Sequence, residues 1–173
     1  NAERLADRFA AHLALQSDPR RLSLFFRRDG SHIGPMPSGW LRTPYDLDVD
    51  QQLPAALAPL VLGLVWLGRA TGRSGHVETA QRYVDFVYSG AYNPAHFART
   101  SKFGWAMLEL YKDTGDRRLL QRAQELAAVL VSWQSPDGTW DPRPAWRPQS
   151  PSDRINYSAD CAMTVLAVAE AQA

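Results

Sequence analysis

Three short stretches hold the residue types that move protons or grip anions. The first is Tyr45-Asp46-Leu47-Asp48-Val49-Asp50-Gln51-Gln52. In an extended chain, alternating residues share one side, so Asp46, Asp48 and Asp50 crowd three carboxylates together. Like charges held close divide into a proton donor and a proton acceptor, which is the requirement for acid/base work on a sugar. Asp48 and Asp50 are the candidates; the plainer role for Asp50 is to cap the helix that follows. A calcium loop of the EF-hand form is excluded, because its sixth position is Gln51 rather than glycine and its twelfth is Leu57 rather than glutamate.

The second stretch is His96-Phe97-Ala98-Arg99-Thr100-Ser101-Lys102. His96 is a candidate base because imidazole titrates near neutrality, and Arg99 and Lys102 are candidate ligands for a carboxylate or phosphate. Thr100 or Ser101 serves equally well as a helix cap. The third stretch is Arg154-Ile155-Asn156-Tyr157-Ser158-Ala159-Asp160. Here Asn156 reads as an N-cap, with Tyr157 and Asp160 in the first turn of a helix. Asp160 is a further acid/base candidate, although carboxylates also occur in first turns simply to face the helix dipole. Arg154 is a second anion clamp. Trp40, Tyr45, Trp146 and Tyr157 are aromatic groups that stack on a substrate or anchor loops. The four histidines have no metal-ligand spacing, and one cysteine, Cys161, cannot build a thiolate site. The expectation is therefore no metal and no cofactor.

The positioning elements read as helices. Leu5, Phe9 and Leu13 give a surface helix from Asn1 to about Gln16. A long Gly/Pro-rich loop follows, with a short strand at Leu22–Phe26. An apolar helix runs from about Asp50 to Arg69, and a third from Gly75 to Tyr88. Phe103, Met107, Leu110 and Tyr111 mark a fourth, which ends at Gly115, and Asp116 caps a fifth carrying Leu119, Ala123, Leu126, Leu130 and Trp133. A Pro/Arg-rich loop, 142–154, precedes a sixth helix from about Tyr157 to Gln172. Trp66, Trp105 and Trp133, within helices, are expected in the core.

The middle of the chain repeats. ATGRSGHVETAQRYVDFV from Ala70 lies under DTGDRRLLQRAQELAAVL from Asp113, matching Thr71 to Thr114, Gly72 to Gly115 and Ala80 to Ala123. The even helices are apolar nearly all round and the odd ones amphipathic, which predicts two layers with the even helices buried on every side. The Thr-Gly corners end the second and fourth helices, so the long loops gather at the N-terminal ends of all three even helices. Backbone N–H groups point outward there and favour anions.

Alternating inner and outer helices with such corners resemble the α/α-toroid superfamilies, which include terpenoid cyclases and six-hairpin glycosidase-like enzymes. Leu130, Gln134, Gly138 and Trp140 resemble the glutamine–tryptophan repeat of the cyclases. Asp137-Gly138-Thr139-Trp140, with Asn156 to Met163, is similar to a repeat end in unsaturated glucuronyl hydrolases. The resemblance implies an all-α, α/α toroid-type array of six helices, three inner and three outer, in one domain over residues 1–173. Family rings hold more hairpins, so a partial ring is expected, completed by a second copy or by the rest of a longer toroid.

The function implied is a carbohydrate-active enzyme of the hydrolase, lyase or epimerase class. Its alternatives are a terpenoid-cyclase-like protein in which Asp48 protonates an apolar substrate, although Gln51 spoils the cyclase Asp-x-Asp-Asp motif, and a noncatalytic helical repeat module that binds a partner. The expected partner is a saccharide or other small molecule. A net charge of +1 gives no field for nucleic acid. The apolar run Leu53–Leu67 is short for a membrane span and contains Pro54 and Pro59, so it is expected to be a core helix. The chain opens on Asn1 rather than methionine, which predicts a trimmed or processed start and sets no compartment.

Overall fold

The computed structural model describes residues 2–14, 21–22, 27, 29, 31, 45–46, 53–90, 94, 101–140 and 151–172. Among them are six helices: α1 (Ala2–Ala14), α2 (Leu53–Thr71), α3 (Ser74–Tyr88), α4 (Ser101–Thr114), α5 (Arg117–Ser132) and α6 (Pro151–Gln172). A two-residue antiparallel ladder joins β1 (Arg21–Leu22) to β2 (Tyr45–Asp46), with Leu22 opposite Tyr45. Among the described residues the fold is all-α apart from this tie and an isolated bridge between Gln134 and Trp140.

The two tight corners are built alike. Gly72 and Gly115 both adopt positive φ, 69° and 66°, a conformation that only glycine enters without strain. Immediately before each glycine, Thr71 Oγ1 donates to the Leu67 carbonyl and Thr114 Oγ1 to that of Leu110. Each is a back-bond from a threonine hydroxyl to the carbonyl four residues before it, a local bond that competes with continuation of the helix. The next helix then starts at once. Asp116 accepts the Arg118 amide as a side-chain cap, whereas its repeat equivalent, Arg73, makes no side-chain cap bond.

Packing sorts the helices into two layers. Arg69 near the end of α2 reaches Glu109 and Asp113 near the end of α4, and Trp66 meets Trp105 edge-on, so α2 and α4 run parallel. On the other flank of α4, Thr164 Oγ1 of α6 donates to the Ser101 carbonyl, and Gly104 faces Thr164 closely. The odd helices form the second layer. Tyr83 of α3 donates to the Phe9 carbonyl of α1, and Arg122 of α5 pairs with Asp85 and lies 4.0 Å over the Tyr88 ring of α3.

The core lies between the layers and is dominated by Leu53, Leu57, Val61, Tyr83, Phe103, Met107, Leu119, Leu126 and Leu130. Burial of this apolar surface is the main drive for folding.

Several local expectations are corrected. Helix α6 begins at Pro151, not near Tyr157. Proline is well suited to a first helical position, where its fixed φ fits and its missing N–H would have had no partner. Asn156 is therefore helical rather than a cap, and Tyr157 and Asp160 lie in the second and third turns. Trp66 and Trp133 are exposed rather than core. Among the described residues, α4 alone of the even helices is covered on both flanks, whereas α2 and α6 each leave an apolar stripe exposed. Helix α2 is longer than its apolar run, 19 residues, and by length and composition alone would pass for a membrane span. Half of that window is buried inside the protein, as befits a helix packed on α3 and α4.

Candidate active-site rim

The parallel arrangement brings the N-terminal end of α4 against α6. Lys102, in the first turn of α4, is poorly placed for the helix dipole, which favours negative charge there. No acidic residue of α4 offsets it in that turn. Asp160 of α6 supplies the missing charge, with its Oδ2 3.2 Å from Lys102 Nζ. The pair is partly open to solvent. Two sequence candidates thus come together, a proton-accepting group beside an ammonium.

Beneath this pair, the seam between α4 and α6 is tightly filled. Cys161 is buried, and burial pushes its thiol up to about 11 even though hydrogen bonds with Tyr157 and Ser101 pull the other way. It is a poor nucleophile, since the thiolate is the reactive form. Tyr157 is buried with it, as part of the seam rather than as an open stacking platform. Beside them, Ser158 Oγ accepts the Trp140 amide at 3.0 Å, and the Trp140 indole donates to the Leu130 carbonyl at 2.6 Å.

The Gln134–Trp140 segment is a closed clamp. An isolated β-bridge joins its two ends, Gln134 Nε2 donates to the Gly138 carbonyl, and Asp137 Oδ1 accepts from the Thr139 amide and hydroxyl. Gly138 sits at φ 81° in the turn. These residues fasten the exit of α5 to α6 and leave no free catalytic group.

The remaining candidates divide by location. Tyr45 lies in β2, opposite Leu22, so the ladder fixes the start of the aspartate stretch. Arg154 lies in the first turn of α6. Trp40, Asp48, Asp50, His96, Arg99 and Trp146 lie outside the described residues. No cluster of three or more His, Cys, Asp or Glu suited to a metal occurs among the described residues.

A second charged group, at the opposite end of the even helices, escaped sequence reasoning. Glu109 is buried between Arg69 and Lys112, 2.6 Å from each. Burial pushes its carboxyl up, but the hydrogen bonds from Lys112 and Arg69 together outweigh this and leave it below its ordinary value. Arg69 also clasps Asp113 at 2.9 Å. The only sequence signal was one acid in an otherwise apolar helix. Every group in this network is paired, which makes it a fastening between α2 and α4.

No family model, curated protein or solved structure matches the chain.

Proposed function

We propose that the protein is a carbohydrate-active enzyme of the hydrolase, lyase or epimerase class, built on an α/α toroid-type array. The observation carrying this reading is the Lys102–Asp160 pair at the N-terminal end of α4, on a flank shared by two parallel even helices. The other proton-transfer candidates fall in the adjoining sequence: Asp48 and Asp50 just before α2, and His96 and Arg99 just before α4. Asp160, with Lys102 beside it, takes the accepting role in this reading. An aspartate of the first stretch or His96 supplies the donor, and Arg99 and Arg154 hold an acidic group of the sugar.

The test is turnover of a panel of neutral and uronate-containing oligosaccharides by the wild type and by Asp160→Asn. A positioned acid or base contributes about 10²–10⁴-fold. The variant is expected to lose at least about 100-fold in kcat while keeping its circular dichroism spectrum and melting temperature. Unchanged kcat in the variant, or no turnover of any saccharide by the wild type, would overturn the reading.

A further inference from the structure

The exposed stripes of α2 and α6 are the two faces that a layer of even helices leaves uncovered at its edges. Between α1 and α2 runs an apolar groove of about 630 Å³, lined by residues that include Leu5, Phe9, Leu60, Gly63, Trp66 and Ala70. Its lining comes entirely from these two helices. Leu5 and Trp66 are 48% and 47% exposed.

The repeat identifies what such a groove receives. A shift of 43 positions carries Thr71 to Thr114 and Gly72 to Gly115, and it carries Trp66 to Glu109 and Ala70 to Asp113. Glu109 and Asp113 are the residues with which α4 grips Arg69 of α2. The open face of α2 is therefore the counterpart of the face by which α4 receives the even helix before it. In place of two carboxylates it presents Trp66 and Ala70, so it calls for an apolar helix rather than one carrying an arginine.

Helix α6 carries such a face. Its inward residues, Tyr157, Cys161, Thr164 and Val168, are buried, whereas the opposite stripe holds Ile155, Ala159, Met163 and Leu166. Ile155 and Leu166 are 69% and 63% exposed. Helices α2 and α4 each pack on the odd helix that follows them, α3 and α5. Among the described residues this stripe of α6 is left open, and the groove is lined by α1 and α2 alone.

We propose that α6 of one copy docks in the α1–α2 groove of a second copy, head to tail, so that the layer of even helices continues from molecule to molecule. In this contact α1 of the second copy becomes the odd companion of the first copy's α6. The contact is heterologous, because the two surfaces differ, and it closes into a ring or runs on as an array according to the turn per copy. It does not depend on the carbohydrate reading.

Light scattering on the 173-residue chain is expected to give a mass that is a multiple of 19.3 kDa and rises with concentration. Leu5→Glu/Trp66→Glu blocks the groove and Ile155→Glu/Leu166→Glu blocks the helix; all four side chains are exposed, so the fold should survive, as circular dichroism will report. Each variant alone is expected to be monomeric, with at least a tenfold loss of association. Mixed together they are expected to form a dimer of one of each, because a single intact groove then meets a single intact helix. The milder pair Trp66→Gln and Leu166→Gln repeats the test if a glutamate variant fails to fold. A monomeric wild type at several hundred micromolar, loss of association from one face only, or failure of the mixture to re-form a dimer would overturn the proposal.

Discussion

Glu109 is an acid in a helix whose other central residues are apolar, and its placement is tolerated because two cations meet it. Replacing it by glutamine keeps the shape and removes the charge. At neutral pH the variant is expected to be about 1–2 kcal/mol less stable, since the charge-assisted bonds to the Glu109 carboxylate are lost while Arg69 keeps Asp113 and the backbone carbonyl of residue 109. The Glu109 carboxyl is held below its ordinary value of 4.5 in the folded protein. Its contribution is therefore present above pH 4.5 and is lost as pH falls through the folded value. Urea unfolding at pH 7 and pH 3 should show the gap between wild type and Glu109→Gln closing on acidification; a gap independent of pH would contradict the assignment. The sequence displayed the odd acid, but its partner Arg69 lies in another helix, and only packing brought the two together.

At the scale of elements, the seam between α4 and α6 depends on a residue without a side chain. A Cβ on Gly104 would stand 2.5 Å from Thr164 Cγ2 and 2.8 Å from Leu126 Cδ2. Gly104→Ala is expected to cost about 1–3 kcal/mol through overpacking. Gly75, near the start of α3, has nothing within 4 Å of a built Cβ, so Gly75→Ala should be neutral or stabilising by up to about 1 kcal/mol. Paired melting curves will separate a packing cost from a propensity gain, and equal shifts of one sign would refute this account of Gly104. Both residues look alike in the sequence as glycines within or beside helical patterns. The difference arises from what stands opposite. The start of α6 differs from the sequence expectation for a related reason: prolines and arginines favour a loop, whereas Pro151 opens a helix whose later turns are held by α4.

For the whole molecule, cover decides stability. Helix α4 has α2 on one side, α6 on the other and α5 against it, while α1 is held by the Tyr83–Phe9 bond, the ion pairs of Arg73 with Glu3 and Asp7, and a narrow apolar contact. Local opening follows such differences in buried contact. Hydrogen exchange is expected to be fastest in α1 and slowest over residues 106–110 of α4, whether or not copies associate. Earlier exchange in α4 than in α2 or α6 would show that the even layer is not the stable centre.

The sequence by itself determined that the chain is helical and where most helices lie. It also determined the two glycine corners, the capping aspartate at Asp116 and the two-layer alternation. These follow from local rules: the spacing of apolar side chains, the φ a glycine permits, and a short carboxylate next to free amides. Tertiary structure alone decided that Lys102 meets Asp160, that Arg69 meets Glu109, that Tyr157 is buried, and that α2 and α6, unlike α4, leave an apolar stripe uncovered among the described residues. Each of these depends on which helix stands opposite which face. Periodicity tells a residue which side of its own helix it occupies, but not what the neighbouring helix places there.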